Sequence, residues 1–152
     1  GYKYNMFDIQ AALALTQLSR MDDMQRRRFE AVKVYEEAFA DVPELRLQKT
    51  PEYCHHSRHL YVMRVVPERL TISRDQFIEE LKARNVGVSV HFIALHTMSA
   101  YRNRFGYKPE DFPKAYAFSE SEISLPMYST LGVKNAEYVA DAVLDIVKKY
   151  KR

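Results

Sequence analysis

His59-Leu60-Tyr61-Val62-Met63-Arg64-Val65-Val66 is rich in β-branched and aromatic residues, is closed by Pro67, and reads as a strand. Ile72 to Asn85 follows as a helix, with Ser73 placed to cap it and Phe77, Ile78 and Leu81 on its buried face. Asn85-Val86-Gly87 then turns the chain into a second extended run, Val88-Ser89-Val90-His91-Phe92. Upstream, Leu45-Arg46-Leu47 reads as a short strand and Lys49-Thr50-Pro51-Glu52 as a turn. Downstream, Thr97 to Phe105 and Phe112 to Glu122 read as short helices, and Leu125-Pro126-Met127-Tyr128 as an extended piece. Val133 to Lys149 is an amphipathic helix with Val139, Val143, Ile146 and Val147 inward. This order predicts an α+β fold: a small, mainly antiparallel sheet of three or four strands covered on one face by helices.

From Phe7 to Ala40 no proline or glycine interrupts the chain, and apolar residues recur at helical spacing from Ile9 and Leu13 to Tyr35 and Phe39. At about 1.5 Å per residue, one helix over this range is on the order of 50 Å long, wider than so small a domain. Its first half is therefore expected to pack against something outside this sequence. The division that follows is an interface segment and long connecting helix over residues 1–40, then a small α+β domain over 41–152.

The chain has 152 residues, 47% hydrophobic and 28% charged, with a net charge of +3, which is the balance of an ordinary globular domain. Acidic residues are interspersed with the basic ones, which argues against a nucleic-acid partner. No apolar run reaches the roughly 18 residues that span a membrane. One cysteine, Cys54, excludes an internal disulfide and fits a reducing compartment, the cytoplasm.

Three segments could carry chemistry. In Gly1-Tyr2-Lys3-Tyr4-Asn5-Met6-Phe7-Asp8 a lysine ammonium and an asparagine amide can donate to phosphate, and the tyrosines can pack a flat ligand. The bland alternative is a frayed end packed on the helix that follows. Such a cluster normally has chain before it, so the sequence reads as beginning within a longer protein. In the second segment, Val90 to Arg102, His91 and His96 flank a strand end and loop and Tyr101 and Arg102 follow, a set suited to a polar, anionic substrate such as a sugar phosphate. Histidines bonded to backbone are the plainer alternative. The third, Cys54-His55-His56-Ser57-Arg58-His59, invites a metal, yet on a strand His55 and His59 share a face while His56 points away, and no second ligand pair follows. No metal is expected. Glycine-rich phosphate loops, serine elbows and metalloprotease helices are absent.

Gly1 to Met6 followed by Asp8-Ile9-Gln10-Ala11-Ala12 resembles the sequence downstream of the cofactor region in nucleotide-sugar aminotransferases of the DegT/StrS family. Arg58 to Val62, Arg74 to Phe77, Val88 to Phe92, Leu95-His96 with Tyr101-Arg102, and Ser124 to Tyr128 match in the same order. The resemblance implies the aspartate aminotransferase fold, with this chain as the carboxy-terminal small domain and its connecting helix. It implies pyridoxal 5′-phosphate as cofactor, glutamate as amino donor, a nucleotide-linked ketosugar as acceptor in surface polysaccharide or related sugar biosynthesis, and a homodimer with sites at the subunit interface. The family's Schiff-base lysine lies upstream of the matching stretch, so no lysine here takes that role and the stretch alone is expected to be inactive. Lys3 and Asn5 stand where relatives carry asparagine and arginine against the partner's cofactor phosphate. His91, His96 and Tyr101 are the implied sugar-nucleotide contacts. Ala94 stands where proline is common, which implies a looser loop. A non-catalytic dimerisation or regulatory module of the same fold is the rival.

Overall fold

The computed structural model describes residues 2–152; Gly1 of the amino-terminal cluster lies outside the described residues. Among the described residues the helices are α1 (Asp8–Leu18), α2 (Met21–Phe39), α3 (Arg74–Ala83), α4 (Ser99–Phe105), α5 (Pro113–Ser119) and α6 (Val133–Tyr150). The strands are β1 (Leu45–Leu47), β2 (Tyr61–Val65) and β3 (Glu122–Leu125), antiparallel in the order β1-β2-β3. Arg46 lies opposite Arg64 across β1 and β2, and Met63 opposite Ile123 across β2 and β3.

Strand alternation sends Leu45, Tyr61, Met63, Val65, Ile123 and Leu125 to one face, all buried. Helices α2, α3 and α6 cover that face with Ala31, Val32, Tyr35, Phe39, Phe77, Leu81, Val139, Val143 and Ile146. The second half of α2 thus belongs to the same core as residues beyond 40. At the start of α3, Ser73 Oγ accepts from the Gln76 N–H at 3.2 Å and Gln76 Oε1 accepts from the Ser73 N–H at 2.9 Å, the reciprocal cap its sequence announces.

Four expectations change in detail. The helix over residues 7–40 is two helices, parted at Ser19 and Arg20. There the Ser19 hydroxyl donates to the Thr16 carbonyl at 2.9 Å and the Arg20 N–H reaches only to Gln17, at 3.1 Å, so side chain and tighter turn compete with the regular ladder. Val88–Phe92 is not a strand; only Ser89 pairs, bridging Ser124 along the free edge of β3. The helix expected over Phe112–Glu122 stops at Ser119, and Glu122–Leu125 becomes the third strand because β2 supplies its ladder. Residues 95–97 form a separate tight turn ahead of α4. Helix α1 buries no residue; Ile9, Leu13, Leu15 and Leu18 are exposed, with Ile9 at 78%. Among the described residues no helix is long and apolar enough to cross a membrane.

Candidate functional site

Glu122 and Ser124 stand two apart on β3, so both project from the face opposite the core. Glu122 is nevertheless 0% exposed, because the segment ending in His91 lies over it. Its Oε2 accepts from the His91 backbone N–H at 2.8 Å, and its Oε1 accepts from the Ser124 hydroxyl at 2.5 Å. Ser124 Oγ in turn lies 2.9 Å from His91 Nδ1. Two backbone bonds between Ser89 and Ser124, 2.8 and 3.3 Å, hold the segment in place. Arg74 Nη1 donates to the carbonyls of Ser119 and Glu122, tying α3 to the same strand. Among the described residues the Glu122 carboxylate has no ion-pair partner. A buried carboxylate is costly unless its oxygens are bonded, and here both are.

The structure divides the remaining expected site residues. His96 and Tyr101 line one concavity of about 400 Å3 with Leu95, Tyr107, Phe112 and Ala115, an aromatic cup at the loop that His91 begins. His96 is only 6% exposed; its ring packs 4.9 Å from that of Phe112, and its Nε2 is buried without a hydrogen-bond partner. It therefore forms the wall of the cup, while Tyr101 is partly open to solvent. His91 is not among the residues lining the cup. Ala94, where proline was noted as common, donates its N–H to Ser119 Oγ at 3.0 Å in a buried bond that proline could not make.

Lys3 and Asn5 line a separate cleft with Met6, Phe7 and Asp8. Among the described residues Lys3 makes no ion pair, and Tyr2 and Tyr4 beside it are exposed with ring centroids 5.9 Å apart. An unpaired ammonium and a carboxamide give five N–H donors, a set that fits a phosphate group; the Asp8 carboxylate in the same cleft opposes an anion. The outer face of the sheet carries another cleft of about 470 Å3, where Arg46, Lys49 and Arg64 surround Val62 and Phe118. The Arg64 guanidinium sits 5.0 Å over the Phe118 ring and donates to Ser121 Oγ at 2.8 Å; burial, then Arg46 opposite, pull its pKa below the ordinary arginine value. In the histidine-rich segment, His56 Nδ1 accepts from the Arg58 N–H at 2.8 Å, and among the described residues no three histidine, cysteine or acidic side chains gather as a metal site.

Reasoning from sequence missed Glu122 and Ser124. Their signal is the alternation Glu122-x-Ser124, which carries meaning only once that run is read as a strand.

The sequence profile of the DegT/DnrJ/EryC1/StrS aminotransferase family matches residues 1–144. The chain is 44% identical over 149 residues to SpsC of Bacillus subtilis, a spore coat polysaccharide biosynthesis protein, covering 97% of this chain and 38% of that one. Among solved structures it matches the PLP-form of Spr1654, a candidate sugar aminotransferase of Streptococcus pneumoniae, with a TM-score of 0.86 and 35% identity over 98% of this chain and 38% of that one. It matches Helicobacter pylori PseC, an aminotransferase of pseudoaminic acid biosynthesis, with a TM-score of 0.81 and 27% identity over 98% of this chain and 39% of that one. The chain thus spans well under half the length of these relatives.

Proposed function

Because this chain belongs to the DegT/DnrJ/EryC1/StrS aminotransferase family, we propose that it forms the carboxy-terminal part of a pyridoxal 5′-phosphate-dependent sugar aminotransferase. In this proposal an amino group passes from glutamate to a nucleotide-linked ketosugar, as a step in polysaccharide or related sugar biosynthesis in the cytoplasm. When bound, the cofactor supplies the electron sink for the transfer. What this chain supplies is orientation. Residues 1–40 act as the interface segment and connecting helices, and 41–152 as the small domain, with the second half of α2 completing its core.

Lys3 and Asn5 donate to the cofactor phosphate, across the interface of a homodimer. His91, Tyr101 and the wall formed by His96 orient the sugar nucleotide, and the aromatic cup around Tyr101 excludes water from it. The apolar flank of α1, which buries nothing within this chain, packs on the larger part of the enzyme and on the second subunit.

The supporting observation is that the family match spans residues 1–144, and that Lys3 and Asn5 put an ammonium and a carboxamide in one cleft ahead of an uncovered apolar helix. The test is Lys3→Ala in the longer protein. Losing one hydrogen bond to a charged group weakens cofactor binding by about 1.5–3 kcal/mol, or roughly 10- to 100-fold. Cofactor remaining after dialysis, read from its visible absorbance, reports the loss; unchanged retention in both Lys3→Ala and Asn5→Ala rejects the assignment.

A further inference from the structure

The Glu122–Ser124–His91 chain fixes more than the position of an imidazole. When the Glu122 carboxylate is ionised it can only accept hydrogen bonds, and the single hydroxyl proton of Ser124 is then committed to Glu122 Oε1, 2.5 Å away. Ser124 Oγ then has only lone pairs to offer His91 Nδ1 at 2.9 Å, and Nδ1 must carry a proton to use them. In the neutral form of the ring, a proton on Nδ1 leaves Nε2 bare. Among the described residues His91 Nε2 has no hydrogen-bond partner, and it is not among the fully buried unpartnered atoms, so it keeps some contact with solvent. The second carboxylate oxygen is occupied by the His91 backbone N–H, which stops the carboxylate from turning away from Ser124.

We propose that Glu122 and Ser124 are positioning residues that set the tautomer of His91, making its Nε2 a hydrogen-bond acceptor for a hydroxyl of the bound sugar. The class of group recognised follows from that sign. A neutral Nε2 with its lone pair outward attracts a hydroxyl or ammonium donor and repels a phosphate oxygen, so this residue reads the sugar and not the nucleotide's charged bridge. The proposal rests on the sugar-aminotransferase reading for its ligand, but not for the tautomer.

The test uses the full-length protein with 15N-labelled histidine, His91 being assigned by its loss in His91→Asn. At about pH 8, above the ordinary histidine range of about 6.5, the His91 resonances should show an N–H at Nδ1 and a bare nitrogen at Nε2. In Glu122→Gln the amide oxygen must still face the His91 N–H, so its NH2 faces Ser124. That frees the hydroxyl proton for Nδ1 and should flip the ring to the Nε2–H form. Ser124→Ala should also release the Nδ1–H form, and Ser124→Thr, which keeps the hydroxyl, should restore it. The Ser124 pair decides the matter if Glu122→Gln does not fold. A proton on Nε2 in the wild type, or a tautomer indifferent to these substitutions, overturns the positioning role. If the tautomer flips, KM for the sugar substrate should rise about tenfold with kcat little changed; an unchanged KM overturns the sugar contact. A protein with no aminotransferase activity but the expected tautomers would reject the function while leaving the positioning role standing.

Discussion

Tyr35 and Tyr61 lie in contact in the core, their ring centroids 4.8 Å apart, yet their hydroxyls have opposite circumstances. Tyr35 donates to the Pro126 carbonyl at 3.0 Å, joining α2 to the chain that leaves β3. Among the described residues the Tyr61 hydroxyl has no partner, and it is buried on a residue only 4% exposed. An unsatisfied buried hydroxyl costs about 1–3 kcal/mol. Tyr61→Phe removes that cost and leaves an oxygen-sized void, on the order of 10–20 Å3, worth about 0.2–0.5 kcal/mol at the usual cavity coefficient. The net expectation is a gain of about 1–2 kcal/mol. Tyr35→Phe should instead lose about 1–3 kcal/mol, because it strands the Pro126 carbonyl. Burial pushes both phenols above the ordinary tyrosine range, so both stay protonated and the two effects should not vary between neutral and mildly alkaline pH. Equilibrium urea unfolding of the two variants and the wild type measures the signs directly. Variants shifting in the same direction, or a Tyr61→Phe loss above about 1 kcal/mol, would refute the view that Tyr61 is unpartnered.

Three further outcomes are expected. The Glu80 carboxylate accepts from Tyr150, Arg84 and Lys149, which hold its pKa down at about 2 from an ordinary 4.5. A depressed folded value stabilises above the unfolded pKa, so stability should fall as pH drops from about 4.5 towards 2, and Glu80→Gln should flatten that stretch of the unfolding curve. Ala94→Pro should cost about 1 kcal/mol through the lost bond to Ser119, although Ala94 has a φ of -59° that proline accepts; in a Ser119→Ala background the same change should be close to neutral by thermal unfolding. Arg46→Glu replaces a like-charge cross-strand pair by an opposite one and should stabilise by about 0.2–1 kcal/mol at low salt, with the gain shrinking when the melt is repeated at high salt.

The elements legible from sequence were those whose cause is local. Ser73 with Gln76 announces the start of α3, and the spacing of Val139, Val143 and Ile146 announces α6. Strand β3 was not legible, because its outer residues are Glu122 and Ser124, polar yet buried, and it exists by pairing with β2 some 60 residues earlier in sequence. Ser89 shows the converse: Val88–Phe92 has strand composition but only one residue finds a pairing partner. The same non-locality concealed the site. His91 was visible as a side chain with suitable chemistry, while the groups that decide its proton lie more than 30 residues away. His96 looked equivalent to His91 by spacing; its packing against Phe112 and Tyr116 sets their surroundings apart.

Helix α1 should form only marginally by itself. With 11 residues and no buried side chain it falls below the roughly 12–15 residues at which even favourable sequences hold a helix in water. Its amides should therefore exchange with solvent as readily as those of a short peptide while Leu13 and Leu18 stay exposed, whereas those of α6 stay protected. A trypsin-like protease should then reach Lys3 and the Arg20 junction before the basic residues on the helices that pack on the sheet.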